Sequence, residues 1–364
     1  MKREQVMLWG QTLLLALVLY GFLISIGLMG GAFKLFGKDL AKQLVETTSN
    51  PLVGLFAGIL ATTLVQSSST TTSIAVGMVA GGALSIEGAI PVVMGANIGT
   101  SVTNTLVSMG HITRKEEFQR ALAGATVHDF FNLLAVLVLL PLEIATGYLR
   151  HMSEKIAGAF QGVGGMEFAS PIKLIVKPVV GLLLDALGRN PTLALIVALV
   201  VMYVCLKFLV DLARGIVVKR SERFLHRYLF GAPLVAMAFG AVLTTLVQSS
   251  SITTSTIVPL IGAGILTLEQ VFPFTLGANI GTTVTAMLAS LSTGNIAAVT
   301  VAFAHLFFNV SGIVLVYPIK VIRGLPLKMA RGLASLTARS RAYAFLYVGL
   351  VFYAIPILLI LIWR

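Results

Sequence analysis

Thr62-Thr63-Leu64-Val65-Gln66-Ser67-Ser68-Ser69, running on into Thr70-Thr71-Thr72-Ser73, occurs a second time. The second copy is Thr244-Thr245-Leu246-Val247-Gln248-Ser249-Ser250-Ser251, running on into Ile252-Thr253-Thr254-Ser255. The copies lie 182 residues apart. The same offset holds through Gly95-Ala96-Asn97-Ile98-Gly99-Thr100 and Gly277-Ala278-Asn279-Ile280-Gly281-Thr282. Self-similarity at a fixed offset without gaps marks an internal duplication, and each copy is read as one structural unit.

The repeated stretch is polar in apolar surroundings. Ser and Thr each bring a donor and two acceptor lone pairs, and Gln and Asn bring both kinds of group. In hydrocarbon such groups cost several kcal/mol unless they are paired. Close helix packing through small hydroxyl residues accounts for single Ser and Thr positions. It does not account for a Gln-Ser-Ser-Ser run kept twice in register, which points to a buried polar site.

Composition sets the class. Of 364 residues, 57% are hydrophobic and 11% charged, and the mean hydropathy is +0.95, outside the range of ordinary soluble domains. The net charge of +12 does not point to nucleic acid, because the basic residues collect in connectors between apolar runs. Cys205 is the only cysteine, so no intrachain disulfide forms. The first apolar run, 8–33, is too long for a signal peptide and lacks a cleavage site of small residues; it is read as a retained span.

Along the chain, spans are expected at 8–33, 89–109, 122–148, 191–212, 270–290, 296–317 and 343–363. Two of them, 89–109 and 270–290, are expected to break at their Gly-Ala-Asn-Ile-Gly-Thr runs. The apolar pieces flanking Gln66–Ser73 and its copy are each too short to span, so each pair reads as a re-entrant hairpin with the polar run at its tip. The basic connectors 214–228 and 320–341 are placed in the cytoplasm, as are 110–120 and the N-terminus. That puts the 110–120 turn and its neutral counterpart near Asn295 on opposite sides. The fold expected is an all-α polytopic membrane protein with two inverted-topology repeats, each carrying a re-entrant hairpin and a broken helix. The divisions are 1–150 for the first repeat, 151–190 for an irregular external linker holding an amphipathic piece at 172–187, and 191–325 for the second repeat. A basic connector and an extra C-terminal transmembrane helix take 326–364.

Helix N-termini at the tips and breaks suit an anion. Unwound carbonyls, hydroxyls and carboxamide oxygens suit a hard cation such as sodium. Neither tip holds Lys or Arg, so a bound anion needs a cation as counter-charge. Asp129 is the one carboxylate inside a polar cluster of a span, and intramembrane acids are functional by default. The alternative is an ion pair with His128 or a connector Arg. Asn132, one turn on, is placed on the same side as Asp129. His128 and His305 are read as packing residues, and Glu87 and Glu269 as solvated.

These residues carry a family resemblance. The doubled Gln-Ser-Ser-Ser and Asn-Ile-Gly-Thr resemble the type II sodium–phosphate cotransporters. So do Ala123-Gly124-Ala125-Thr126-Val127-His128-Asp129-Phe130-Phe131-Asn132, Leu137-Val138-Leu139-Leu140-Pro141-Leu142-Glu143 and Phe307-Phe308-Asn309-Val310-Ser311-Gly312-Ile313. The resemblance implies sodium-driven uptake of inorganic phosphate across the plasma membrane (the inner membrane of a Gram-negative cell), with no cofactor beyond the coupling ion. It implies phosphate at Ser67, Ser68, Ser69, Ser249, Ser250, Ser251, Asn97 and Asn279. It implies sodium at Gln66, Gln248, Thr100, Thr282, Asp129 and Asn132. An acid at the position of Asp129 accompanies an additional sodium in electrogenic members. His111 and Arg114 stand where animal members carry a Gln and an Asp, and the short cysteine-free linker resembles a bacterial member. Two rivals are a sodium-coupled carrier of another small anion, such as a dicarboxylate or sulfate, and an intramembrane serine hydrolase pairing Ser67 or Ser249 with His128 or His305. The hydrolase is disfavoured, because a doubled run of interchangeable serines lacks one activated nucleophile.

Overall fold

The computed structural model describes residues 2–36, 50–162, 171–213 and 232–363. All regular elements among them are helical, and five stretches are long and apolar enough to cross a bilayer: Ala16–Phe36, Lys115–Thr146, Leu268–Thr293, Ile296–Val316 and Ala342–Trp363. The protein is an all-α polytopic membrane protein. The basic segment expected at 214–228 lies outside the described residues, as does 37–49.

In the first half, α1 (Lys2–Phe36) is followed by α2 (Pro51–Val65), α3 (Ser68–Gly81), α4 (Ile86–Gly99), α5 (Ser101–Ser108) and α6 (Lys115–Thr146). α7 (Tyr148–Gly162) and α8 (Pro171–Ala186) lead to the second half. There α9 (Pro191–Ala213), α10 (Pro233–Val247), α11 (Ser250–Ser255), α12 (Val258–Gly262), α13 (Leu268–Thr293) and α14 (Ile296–Val316) follow. α15 (Lys320–Arg339) precedes the last span, formed by α16 (Ala342–Gly349), a π-helical turn Leu350–Ala354 and α17 (Ile355–Trp363).

Both expected hairpins form, as α2–α3 and α10–α11, but their tips are tighter than the sequence suggests. Only Gln66-Ser67 and Gln248-Ser249 interrupt the helices, and the remaining Ser and Thr residues build the first turns of α3 and α11. Asn50 begins α2 with its side chain accepting from Leu52 N at 3.0 Å, just ahead of Pro51 at the first helical position.

Of the two expected helix breaks, the second does not occur and the first is slight, a single-residue interruption at Thr100. α13 runs through Gly277–Thr282 without interruption, and Thr100, between α4 and α5, keeps helical angles of φ −58° and ψ −31°. The glycines serve close approach instead. A Cβ on Gly95 would lie 2.0 Å from Leu55 O, and one on Gly277 would lie 1.8 Å from Met237 O. From the facing helices, a Cβ on Gly58 would lie 2.1 Å from Val92 O and one on Gly240 2.2 Å from Phe274 O. Each repeat therefore presses its hairpin onto its long helix backbone to backbone, through two glycines with no Cβ between them.

The segment 151–190 is more regular than expected. It is largely helical where described, and α8, which matches the amphipathic piece expected at 172–187, packs lengthwise on α1. Tyr20 Oη donates to Ile175 O at 3.0 Å, and Val176, Val180 and Leu184 fall over Gly27 and Gly31. Their spacing of four residues is one apolar stripe of a helix.

Contacts define two ends. At one, Arg150 pairs with Glu87 at 2.5 Å and Asn295 Nδ2 donates to Ala80 O at 3.2 Å. At the other, Arg120 Nε donates to Gly262 O at 2.9 Å, Arg331 pairs with Glu269, and Arg341 reaches Thr113 O at 3.4 Å. Glu87 and Glu269 are thus exposed, as expected, but each is tied to an arginine. The hairpin α2–α3 opens towards the first end and α10–α12 towards the second.

Candidate functional site

The two hairpin tips have the same local geometry. Gln66 and Gln248 both adopt the left-handed backbone region, at φ 57°, where non-glycine residues are uncommon. Each ends one helix, and its side chain folds back over that end. Nε2 donates to the carbonyl three residues earlier, Thr63 or Thr245, at 2.5 Å. Oε1 accepts from Thr103 at 2.8 Å in the first half and from Thr285 at 2.7 Å in the second. The carboxamide therefore ties the tip to the long helix of its own repeat. Ser67 and Ser249 follow in extended conformation and cap the next helix, accepting from Thr70 N at 3.2 Å and Ile252 N at 3.4 Å.

The tips meet. Ser69 Oγ donates to Gln248 O at 3.4 Å, and a cavity of about 190 Å³ lies between the two. Gln66, Ser67, Ser69, Thr70 and Thr103 line it from the first half, and Gln248, Ser249 and Ser251 from the second. Tyr203 and Leu206 of α9 complete the wall, and among the described residues no charged side chain lines it. A larger cavity of about 490 Å³, beside Arg120 and Arg331, holds none of the repeated polar residues.

The other expected site residues stand elsewhere. Ser68 and Ser250 are buried at the starts of α3 and α11 and do not line the cavity. Thr100 and Thr282 are buried and donate to Ala96 O and Ala278 O at 3.0 Å, within their own helices. Asn97 and Asn279 form a second centre with Asn132, Asn309 and the two histidines. Asn97 Oδ1 accepts from His305 Nε2 at 3.1 Å, and its Nδ2 donates to Asn309 Oδ1 at 3.2 Å. Asn279 Oδ1 accepts from His128 Nε2, and its Nδ2 donates to Asn132 Oδ1 at 3.0 Å. Each repeat's asparagine thus docks into a His-x-x-x-Asn pair of the other repeat. All six residues are buried.

His128 and His305 were expected only to pack; they hold the centre of the molecule. The signal was present in the sequence, as two His-x-x-x-Asn pairs at the i, i+4 spacing of one helix face. Among the described residues, neither ring bonds Ser67 or Ser249, and the serine beside His128 is Ser101, at 3.3 Å from Nδ1. The pairing that a serine hydrolase would need does not form.

Asp129 is fully buried but does not share its partners with Asn132. Its Oδ2 accepts from Tyr347 Oη of the last span at 2.9 Å. Among the described residues its Oδ1 has no hydrogen bond of ordinary geometry; the Ser101 Oγ beside it lies 3.1 Å from Ile98 O and 3.3 Å from His128 Nδ1. Among the described residues neither alternative partner reaches it, since Arg114 pairs with Glu117 at 2.9 Å and His128 faces Asn279. Buried hydroxyls of Thr62, Thr63, Ser73 and Thr244 are also unpartnered. For Ser73 the reason is legible. Its counterpart Ser255 donates to Asn104 Oδ1 at 2.8 Å, but the residue matching Asn104 is Ala286.

Residues 22–170 and 201–359 match the family model described as Na+/Pi-cotransporter. The chain is 36% identical over 445 residues to sodium-dependent phosphate transport protein 2B of Homo sapiens, covering 96% of this chain and 64% of that protein. It is 39% identical over 416 residues to sodium-dependent phosphate transport protein 2A of Mus musculus, covering 93% of this chain and 65% of that protein. The chain therefore spans a little under two thirds of the length of these relatives. No solved structure matches it significantly. Both halves, with the doubled tips and the crossed asparagine centre inside them, fall within the matched residues, and the chain belongs to the Na+/Pi-cotransporter family.

Proposed function

We propose that the protein is a secondary transporter that carries inorganic phosphate into the cell together with sodium. One observation carries the reading. Two hairpin tips of the same geometry face each other across a cavity lined by hydroxyl and carboxamide groups, with no charged side chain among the described residues. An anion in that cavity has dipoles and hydroxyls to bind it but no fixed counter-charge, and a co-bound hard cation supplies one. At about 190 Å³ the cavity is smaller than the roughly 300–1,000 Å³ of pockets for drug-sized ligands, which favours a compact oxyanion over an extended dicarboxylate. The names of the relatives point the same way.

In this reading Ser67, Ser69, Ser249 and Ser251 donate to phosphate. As helix caps, Ser67 and Ser249 accept through the oxygen and keep the hydroxyl proton for a ligand. Gln66 and Gln248 hold the tips and present oxygens to sodium. Asn97 and Asn279 act by fixing the two halves around the cavity rather than from within it. Thr100, Thr282 and Asn132 reach sodium only after giving up the hydrogen bonds they make here. Asp129 serves an additional sodium and makes the cycle electrogenic.

The halves are inverted repeats at 1–150 and 191–325. The support is that Thr113 and Asn295, at matching repeat positions, sit at opposite ends of the molecule. The end bearing Arg114, Lys115, Arg120 and Arg331 is the cytoplasmic one by its positive charge, which places the N-terminus inside the plasma membrane. The test is uptake of radiolabelled phosphate into proteoliposomes. Accumulation is expected with an inward sodium gradient, and equal accumulation with choline in place of sodium and no proton gradient refutes the coupling.

A further inference from the structure

The two crossed clasps at the centre are not equally closed. Both share the docking of an asparagine carboxamide onto a His-x-x-x-Asn pair. In both, that docking puts the proton of a neutral ring on Nε2, leaving Nδ1 as an acceptor. Around His128 a group stands at each place: Ser101 Oγ lies 3.3 Å from Nδ1, with Ile98 O at 3.1 Å as the other acceptor within reach of its one proton, and Asn132 Nδ2 crosses to Asn97 O at 3.0 Å. Around His305 both of these contacts are missing. Its Nδ1 is buried without a partner among the described residues. Thr283, which occupies the repeat position of Ser101, turns its hydroxyl to Ile280 O at 2.7 Å. Asn309 Nδ2 donates to His305 O of its own helix at 3.0 Å instead of crossing to the other repeat.

The chemistry needed to complete the second clasp is already in place. Thr283 has a hydroxyl where Ser101 has one, and Asn309 stands to His305 as Asn132 stands to His128. A buried acceptor without a donor costs free energy, so a state that supplies the donor gains it back. We propose that Ser101 and Thr283 are positioning residues of a two-state centre in which the clasps exchange. In the state described here the His128 clasp is closed. In the opposite-facing state Thr283 turns to His305 Nδ1, Asn309 crosses to Asn279 O, and the His128 clasp loosens to the form His305 has now. The exchange rests on the inverted-repeat transporter reading, since inverted repeats reach the opposite-facing state by trading conformations. It adds the identity of the side chains that set the balance between states.

The test is a side-specific accessibility measurement in the absence of phosphate. In a Cys205→Ser background, Tyr203→Cys places the only thiol in the wall of the tip cavity. Its reaction with a membrane-impermeant thiol reagent is followed from each side of oriented vesicles. Ser101→Ala removes the hydroxyl that reaches a ring Nδ1 only in one state, and Thr283→Val the one that reaches it only in the other. One hydrogen bond corresponds to about a fivefold change in the ratio of states. Ser101→Ala is expected to raise reactivity from one side and lower it from the other, by about that factor. Thr283→Val should do the reverse, and the double variant should return to the parent ratio. Monodispersity in detergent confirms that each variant is folded. Shifts in the same direction, no shift, or a double variant displaced further than either single one overturn the exchange. Because no phosphate is present, failure of the uptake experiment and failure of this one are separate results.

Discussion

Replacing Gln66 separates what its side chain does from what its backbone does. The side chain makes two hydrogen bonds, to Thr63 O at 2.5 Å and from Thr103 at 2.8 Å, while the backbone sits at φ 57°. Two hydrogen bonds at about 0.5–1.5 kcal/mol each contribute about 1–3 kcal/mol. The left-handed conformation costs a residue with a Cβ about 1–2 kcal/mol and glycine almost nothing. Gln66→Ala keeps the backbone cost and loses both bonds, so it is expected to destabilise by about 2 kcal/mol. Gln66→Gly loses the same bonds but recovers about 1 kcal/mol, and should melt above the alanine variant. Both should fail in phosphate uptake per folded molecule, because both release the tip from Thr103. The assay is thermal unfolding in detergent beside uptake in proteoliposomes. Wild-type uptake by both variants would make the tip a structural turn. A glycine variant no more stable than the alanine variant would remove the backbone argument. Gln248, with the same φ and the same pair of bonds, should behave alike.

Three further outcomes rest on the packing and on the buried acid. Gly277→Ala places a methyl group 1.8 Å from Met237 O, a backbone atom that cannot swing aside. It should cost about 1–3 kcal/mol or more, whereas Gly110→Ala, with open space around it, should be close to neutral; similar melting of the two variants would refute the close-approach reading. Asp129→Gly should abolish stimulation of uptake by an inside-negative potassium–valinomycin potential while uptake itself persists. Tyr347→Phe, which removes the hydrogen bond to Oδ2, should move the sodium activation curve without lowering the amount of folded protein. If the potential fails to speed wild-type uptake, Asp129 carries no additional charge.

The duplication was legible because an offset of 182 residues survives in the letters themselves. The hairpins followed from arithmetic, since runs of about 15 apolar residues are too short to span. The Gly-Ala-Asn-Ile-Gly-Thr runs misled because glycine has two uses, freedom of backbone angle and absence of Cβ, and the one-letter pattern is the same for both. Only the neighbouring helix, Met237 O over Gly277 and Leu55 O over Gly95, decides between them. The left-handed glutamines were illegible, because nothing in Gln-Ser predicts φ above zero. The amphipathic stripe of α8 was visible, but its target, α1, lies some 150 residues away and no periodicity names it. The same limit applies to Asp129 and Asn132. Their i, i+3 spacing puts them side by side, and that one meets Tyr347 while the other meets Asn97 and Asn279 is set by helices elsewhere in the chain.

The crossed clasps also bear on how the molecule is made. Asn97 finds its partners at residues 305 and 309, and Asn279 finds its own at 128 and 132. Neither half can satisfy its own centre, and a lone half would leave amides and a ring bare in the membrane interior. During synthesis at roughly 5–20 residues per second, Asn97 waits some 10–40 s for residue 305 to follow it. Over that interval the first half is an unfinished product whose polar groups need water, a chaperone or the insertion machinery as temporary partners. Variants that weaken the centre should therefore show themselves first as reduced yield of inserted protein.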